Sequence, residues 1–248
     1  MKIAVCVSFV PDTASKIKIS AESSAVDTTG LTFILNPYDE FAIEEALKLK
    51  EKLGGEVHIF SMGNDTVKEG IRKALAMGAD EGSHLKTDIS FDAISTAKAL
   101  ADAIKNYGAE LVLVGKQSVD TDGGVMAQLI AEFLDWHAVP SVTSLTIEGV
   151  NVTAESEIEG GKEVISTSLP CVISTQKGLN DPRYASLKGI MASKKKNIAE
   201  IAVVLENLST TFISASLPPA KPAGRILGSD SSAVSELVRL LKDEAKVL

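Results

Sequence analysis

The segment ELVLVG, residues 110–115, is followed directly by KQSVDTDGG, residues 116–124. The first part is a continuous apolar run, which is typical of a strand buried on both faces of a parallel sheet. The second part is a polar turn that leads into a predicted helix from about Gly124 to Leu134. A strand, a Gly-rich turn and a helix in this order indicate an α/β protein with a ligand site beside the turn.

The same alternation of strand and helix runs through the first half of the chain. A helix is predicted to open at Asn36-Pro37, since proline suits the first helical turn. The segments KIKI (16–19) and TFIL (32–35) are predicted to form a hairpin. The other predicted strands lie at 2–10, at 57–63 and near His84, and the other helices run from an Asp65 cap to Met77 and from Ser90 or Asp92 to Tyr107. The fold class is therefore α/β, with a doubly wound parallel sheet.

The second half has a different periodicity. Residues 141–176 are rich in Thr, Ser and Val with alternating polarity, which predicts an antiparallel extension with a hairpin turn at 159–162. A further apolar segment follows at 198–205, and a proline-containing arm then leads to an amphipathic helix from Ser231 to Val247. We predict a domain over 1–215 and an arm and helix over 216–248 that pack on a partner.

Composition excludes several classes of function. The 248 residues carry 25 basic and 33 acidic side chains, so the formal net charge is −8, which argues against a nucleic-acid partner. The two cysteines and three histidines are far apart and predict no metal site. No apolar run reaches 18 residues, so no membrane insertion is expected, and the absence of a transit-like leader favours the cytoplasm.

The turn at 116–124 has two readings. Its glycines let the backbone approach an anion, and the following helix offers N–H groups to a phosphate, which indicates a nucleotide site. Alternatively, it is a Gly-rich turn that only enters a helix. Neither a Walker A loop nor GxGxxG is present, and no nucleophile stands beside a base, so we predict no catalytic residues.

Several separate segments resemble the β subunit of electron transfer flavoprotein. They are NPYDEFAIEEALKLKE (36–51), ALAMGAD (74–80), GKQSVD and FLDW within 115–136, ESEIEGGKEVISTSLPCVIS (155–174) and LNDPRYASLKGIMASKKK (179–196). The agreement in spacing extends from the first strand to Lys196.

The resemblance implies an adenine-nucleotide-binding type of fold and an electron-carrier role rather than an enzyme. The β subunit of this family forms a heterodimer with an α subunit that holds most of a FAD. It receives electrons from acyl-CoA dehydrogenases or similar donors and passes them to a quinone oxidoreductase. The β subunit usually binds AMP, whereas in a bifurcating branch a second FAD takes that place and NADH is the donor.

The resemblance also implies particular site residues. Leu187 matches the leucine that anchors the donor, Arg183 and Tyr184 would set the conformation of its loop (about 179–196), and Ile190 and Met191 belong to the same docking surface. Tyr38 would lie near the flavin of the α subunit. The implied nucleotide site comprises Cys6, Asn36, Pro37, Tyr38, Asp39, Met62, Gly115, Lys116, Gln117, Ser118, Val119, Asp120, Thr121, Asp122, Gly123, Gly124, Val125 and Met126.

Two departures from the family pattern bear on the nucleotide. Ser8 stands where members usually carry a lysine, and Val125 and Met126 replace two polar phosphate ligands. Backbone N–H groups can still hold one phosphate, but a pyrophosphate needs more donors. AMP binding is therefore expected to be weakened, a second FAD is disfavoured, and an empty or altered nucleotide site stays open as an alternative.

Other readings remain open at the level of sequence. An adenine-nucleotide hydrolase shares the fold class, although no glycine-rich triphosphate loop follows the first strand. A small stress-type nucleotide-binding dimer is disfavoured by the long second half. Lys194 to Lys196 form either a solvated face or a docking patch for an acidic partner or phosphate.

Overall fold

The computed structural model describes residues 1–20, 25–88, 92–203, 208–221 and 223–248. Its central sheet has nine strands in the order β11-β10-β9-β12-β8-β1-β6-β7-β13. The strands are β1 (Lys2–Cys6), β2 (Phe9–Pro11), β3 (Lys18–Ile19), β4 (Val26–Asp27), β5 (Phe33–Leu35), β6 (Glu56–Gly63), β7 (Glu81–Lys86), β8 (Leu111–Gly115), β9 (His137–Glu148), β10 (Asn151–Ile158), β11 (Gly161–Ser168), β12 (Cys171–Thr175) and β13 (Ile198–Ala202).

Helices cover both faces of the sheet, which confirms the doubly wound α/β architecture. The helices are α1 (Pro37–Leu53), α2 (Val67–Met77), α3 (Ala93–Tyr107), α4 (Met126–Leu134), α5 (Leu187–Ser193) and α6 (Val234–Asp243). Helices α1 and α2 pack on one face and α3 and α4 on the other. Strands β8 and β12 are buried along their whole length, as expected for strands covered on both faces, and β8 is apolar throughout.

The first strand is shorter than the predicted run of 2–10. β1 ends at Cys6, and Phe9–Pro11 forms β2 in a separate two-stranded sheet. The break has a local cause, because the Ser8 N–H donates to Asp39 Oδ2 at 2.7 Å instead of continuing a ladder. The apolar run 2–10 therefore contains two strands that serve different sheets.

The predicted hairpin between 16–19 and 32–35 is wrong. β5 pairs antiparallel with β2, with Val10 opposite Ile34, while β3 pairs with β4. Both predicted segments contain a strand, but the two strands pair with other strands rather than with each other. Short apolar segments carry no local signal that selects one pairing.

The antiparallel extension is confirmed for β9, β10 and β11, but not for the last strand of the predicted set. β12 runs parallel between β9 and β8, with Ile173 opposite Val139 and Leu113. All five of its residues are buried. This uninterrupted burial is typical of a central parallel strand rather than of an alternating antiparallel one.

Helix boundaries differ from prediction at two N-terminal ends. The α2 N-cap is Thr66 rather than Asp65, whose carboxylate pairs with Lys68 at 2.7 Å and Lys86 at 3.3 Å. α4 begins at Met126 rather than near Gly124. Asp92 caps α3 as one of the two predicted alternatives, while Ser90 lies outside the described residues.

The chain divides into two compact units. The first comprises Met1–Ile17 and Asp27–Ile213, and the second comprises Lys18–Val26 and Ser214–Leu248. The second unit contains β3 and the C-terminal segment, in which a short 3-10 turn (Ser231–Ala233) precedes α6. α6 ends at Asp243, short of the predicted Val247, and none of its residues is buried. Among the described residues, no helix has the length and apolar character needed to cross a bilayer.

Candidate nucleotide pocket and docking loop

A cavity of about 770 Å³ opens at the carboxyl ends of β1, β6 and β8, where ligands bind in open parallel sheets. We call it the nucleotide pocket. Twelve of the predicted residues line it: Cys6, Asn36, Asp39, Met62, Gly115, Gln117, Ser118, Asp120, Thr121, Gly123, Val125 and Met126. Pro37, Tyr38, Lys116, Val119, Asp122 and Gly124 belong to the same segments but are not among its lining residues. The tertiary structure thus gathers four separate stretches of sequence at one edge: the end of β1, the start of α1, the end of β6 and the segment 115–126.

Asp39 connects three segments that line the pocket: the residues after β1, the start of α1 and the end of β8. Its carboxyl group accepts hydrogen bonds from Ser8 N (2.7 Å), Asn36 Nδ2 (3.0 Å) and Gly115 N (3.2 Å). Burial raises the pKa of Asp39 to about 7, although the three hydrogen bonds lower it. The carboxyl oxygens of Asp39 are therefore engaged in hydrogen bonds within the protein, and these bonds fix the shape of the pocket that Asp39 lines.

Asn36 fixes the turn at 116–124 in the same way. Its Nδ2 also donates to Gln117 O at 2.9 Å, and its Oδ1 accepts from Val119 N at 3.3 Å. The residue is only 1 % exposed. Asn36, at the start of α1, is thus hydrogen-bonded to a turn that lies 81 residues away in the sequence. These bonds fix the backbone conformation of the turn.

The two helices that begin at the pocket differ at their N-termini. Asp92 caps α3, since its Oδ1 accepts from Ser95 N at 2.7 Å and its Oδ2 accepts from Thr210 N at 2.8 Å. Val125 occupies the N-cap of α4 and forms no side-chain hydrogen bond to the helix. The first N–H groups of α4 therefore lack a side-chain acceptor, and they form the polar feature of the pocket best suited to an anion.

The acidic residues of the turn are engaged within it. Asp120 accepts a hydrogen bond from the Ser118 hydroxyl, and Asp122 accepts one from Gln117 Nε2 at 2.5 Å. Asp122 has a positive φ of 55°, which turns the backbone toward the helix. The turn is thus held in shape by its own side chains.

The inner wall is apolar. Met62 lies at the end of β6, and Cys6 is 8 % exposed at the end of β1. Burial, more than the nearby Asp39, raises the pKa of the Cys6 thiol far above its ordinary value, so the thiol stays protonated. Ser8, which departs from the family pattern, also lines the pocket, and the lining residues that were not predicted are Val7, Asp92, Ala93, Ile94, Thr96, Leu100, Val114, Leu129 and Thr210. The sequence did carry a signal for four of them, since Asp92, Ala93, Ile94 and Thr96 lie at the predicted start of α3. A helix that follows a parallel strand begins near the carboxyl edge of the sheet, where the pocket lies.

The loop with the predicted docking residues lies against the α1–α2 face and is strongly exposed. Tyr184 is 99 %, Leu187 85 % and Met191 65 % exposed, and Ile190 is exposed as well. Ser186 caps the short helix α5 by accepting from Gly189 N at 3.0 Å. Large apolar side chains clustered on an exposed segment indicate a protein interaction site.

Arg183 attaches this loop to α1. Its Nε and Nη2 donate to the two carboxylate oxygens of Glu44 at 2.8 and 3.0 Å, and its Nη1 donates to Glu51 Oε1 at 2.5 Å. These bonds, to Glu51 and then Glu44, raise the pKa of Arg183 above its ordinary value. Glu45, also buried, accepts from Asn180 Nδ2 at 2.9 Å.

The lysine run does not form a single face. Lys194 and Lys195 are exposed, as predicted for a solvated run. Lys196 is partly buried, and its Nζ donates to Leu75 O and Ala79 O at the end of α2. Arg72 of α2 donates to Ser193 O and Lys196 O at 2.5 and 2.6 Å, so α2 and the docking loop are connected from both sides.

One group of side chains within the described residues has the composition of a metal site. A ring nitrogen of His84 and carboxylate oxygens of Asp65 and Glu200 lie within 4.8 Å of one another. Lys68 already pairs with Asp65 at 2.7 Å and with Glu200 at 3.0 Å. The carboxylates thus have counter-charges of their own.

The fold is that of a doubly wound α/β protein with a cavity at the carboxyl edge of its sheet. Residues 24–206 match the family model "Electron transfer flavoprotein domain". The chain is 38 % identical to an electron transfer flavoprotein subunit beta of Syntrophomonas wolfei, over all of this chain and 98 % of the relative. It is 38 % identical to that of Bacillus subtilis over 96 % of each chain, and 35 % identical to that of Bos taurus over all of this chain and 99 % of the relative. The chain belongs to the electron transfer flavoprotein beta-subunit family.

Proposed function

We propose that this chain is the β subunit of a heterodimer in which an α subunit holds FAD. It receives electrons from acyl-CoA dehydrogenase-type donors at the loop around Leu187 and passes them through the flavin to a quinone oxidoreductase-type acceptor. The chain itself forms and breaks no substrate bonds. A cytoplasmic location and a place for Tyr38 near the flavin of the α subunit belong to the same proposal.

The observation that carries the proposal is the coincidence of two sites on a chain of this family. A pocket lined by twelve of the predicted nucleotide-site residues lies at the carboxyl edge of the sheet. A separate loop exposes Leu187 and Tyr184 and is attached to α1 through Arg183. One site suits a small ligand and the other a transient protein partner.

The residues present fit AMP. The N-terminus of α4 would hold the single phosphate, because Val125 gives it no side-chain cap. The apolar wall with Met62 and Leu129 would enclose the base. When bound, AMP supplies no redox chemistry and acts as a structural ligand that orders the turn at 116–124.

A second FAD, as in a bifurcating protein, finds less support. A pyrophosphate needs more donors than one helix N-terminus supplies. The other helix that begins at the pocket, α3, is capped by Asp92, whose carboxylate would repel a second phosphate. Val125 and Met126 contribute no polar side chain. We therefore favour a simple carrier with one FAD per heterodimer.

An adenine-nucleotide hydrolase is supported still less. Such an enzyme would use a triphosphate-binding loop after the first strand, but Phe9–Pro11 forms a strand there. The Ser8 N–H that precedes it is bound to Asp39. These two features leave the backbone after β1 poorly suited to cradle a triphosphate.

The test is to express the chain together with its α subunit and to count the nucleotides in the purified complex. The proposal expects a stable heterodimer with one FAD and one AMP, released by denaturation and identified by mass spectrometry. Two FAD per heterodimer would establish the bifurcating alternative. A chain that hydrolyses ATP alone and never associates with a flavin-bearing subunit would overturn the proposal.

A further inference from the structure

A second large cavity, of about 820 Å³, lies on the opposite side of the sheet from α3 and α4. We call it the α2 groove. It is bounded by the start of α1, by α2, by the loop at 182–185 and by α5. Its lining residues are Leu35, Pro37, Glu40, Phe41, Arg72, Lys73, Ala76, Met77, Pro182, Arg183, Tyr184, Ala185, Ile190, Ser193 and Lys194. The nucleotide pocket shares none of them.

The α2 groove combines an apolar floor with a basic rim. Phe41 and Met77 contribute to the floor, while Lys73 and Lys194 stand exposed at its edge. Glu40 is the single carboxylate among the described lining residues, and it offsets part of the charge of Lys73, whose Nζ also lies 5.1 Å from the centroid of the Phe9 ring. The charge of Arg183 is already balanced by Glu44 and Glu51, so it adds little to the rim. On a chain of net charge −8, this local excess of positive charge favours a partner that carries carboxylates.

The groove is continuous with the exposed docking loop. Tyr184 and Ile190 belong both to the lining of the groove and to the apolar cluster around Leu187. A protein that covers Tyr184 and Ile190 together with Leu187 therefore also contacts residues that line the groove. The groove, at about 820 Å³, has room for several side chains of a partner. Contact between a partner and Leu187 alone would not require a cavity of this size.

We propose that the α2 groove receives a segment of the donor dehydrogenase whose apolar side chains are flanked by carboxylates. This inference rests on the proposed function and adds to it a second contact beside Leu187. The apolar side chains enter over Phe41 and Met77, and the carboxylates pair with Lys73 and Lys194. The leucine anchors the donor, and the groove with its rim selects an acidic partner and sets its orientation.

The test uses the assembled heterodimer and a donor acyl-CoA dehydrogenase in steady-state kinetics with the heterodimer as the varied substrate. The double variant Lys73→Glu with Lys194→Glu is expected to raise KM by about tenfold and to remove most of its dependence on salt, with kcat unchanged. Met77→Trp, which fills the groove, should raise KM without changing the salt dependence. Lys98→Glu, on α3 across the sheet, is the matched control and should leave KM unchanged.

The outcomes separate this inference from the proposed function. If Leu187→Ala raises KM while the groove variants behave as wild type, the groove inference is wrong and the proposed function stands. If neither change affects transfer, both fail. A third result would also overturn the inference: saturable binding of decanoate in the groove, abolished by Met77→Trp, with no change in KM for the donor. Flavin content and circular dichroism confirm that each variant is folded.

Discussion

Asp39 and Gly115 form a pair in which each residue constrains the other. A Cβ added at Gly115 would lie 2.3 Å from Asp39 Oδ1 and 2.8 Å from Asp39 N, so only glycine lets β8 approach the start of α1 this closely. The buried carboxyl group then takes the Gly115 N–H at 3.2 Å. Here glycine is needed for space rather than for a positive φ.

The pH dependence of stability should report on Asp39. Its pKa of about 7 in the folded protein exceeds the ordinary value of 3.8, so the folded state binds more protons than the unfolded state between these values. The contribution of Asp39 to the free energy of unfolding therefore falls as pH rises through this window, by at most about 1.4 kcal/mol per pH unit. Asp39→Asn cannot titrate and should lack this contribution.

Urea unfolding at several pH values across the window measures the effect as the difference between wild type and Asp39→Asn. Asp102→Asn, an exposed change on α3, serves as the control and should keep the wild-type profile. A wild-type-minus-variant difference that stays constant with pH would show that Asp39 is not the titrating group.

At the scale of elements, α3 and α4 start at the same pocket with different caps. Asp92 satisfies the N-terminus of α3, whereas Val125 leaves that of α4 without a side-chain acceptor. A helix without a polar N-cap side chain is less stable, because its first N–H groups lack an acceptor. A bound anion would supply that acceptor and would also interact favourably with the positive end of the helix dipole. The stability of α4 and the occupancy of the pocket should therefore be coupled.

Val125→Asp tests this coupling with two readouts of opposite sign. The new carboxylate caps α4, so the free energy of unfolding of the nucleotide-free protein should rise by about 1 kcal/mol. The same charge occupies the place of the phosphate, so AMP retained by the purified heterodimer should fall below detection. Val125→Asn, a cap without charge, should match the stability gain and lose less nucleotide. Unchanged AMP content in Val125→Asp would place the phosphate elsewhere.

The docking loop depends on the fork between Arg183 and α1. Lysine keeps the charge but cannot make the paired contacts to both Glu44 oxygens. We expect Arg183→Lys to increase amide hydrogen exchange over 183–193 by roughly tenfold, with little effect on the central strands. Arg239→Lys, in an exposed pair with Glu236 on α6, is the control and should change neither region. Equal exchange in wild type and Arg183→Lys would assign the loop's order to other contacts, such as those of Arg72.

At the scale of the whole molecule, the sheet separates the two proposed sites. Its carboxyl edge holds the nucleotide pocket, and the face covered by α1 and α2 supports the docking loop. Leu187 can thus change without disturbing the core, because its side chain is 85 % exposed. Binding at such a site should rest on few residues.

Leu187→Ala should lower kcat/KM for electron transfer from the donor dehydrogenase by roughly tenfold or more, as expected for a hot-spot residue. Flavin content, AMP content and thermal stability of the heterodimer should equal those of wild type. Val150→Ala, another exposed apolar residue, is the control. Loss of flavin in Leu187→Ala, or an unchanged rate, would contradict a pure docking role.

The sequence by itself predicted the alternation of strands and helices and offered Asp92 as one of two caps for α3, because apolar periodicity, capping residues and turn glycines act over a few neighbouring positions. The family was predicted separately, from the resemblance of several segments of the chain. The parallel topology predicted which edge of the sheet holds the pocket, since the carboxyl ends of parallel strands lie together. The individual pocket residues were predicted from the family resemblance. Only the tertiary structure decided that β2 pairs with β5, that β12 runs parallel and that Asp39 and Glu44 turn inward. These outcomes depend on partners far away in the chain, and a short strand or a helical carboxylate carries no local signal of which distant group it will meet.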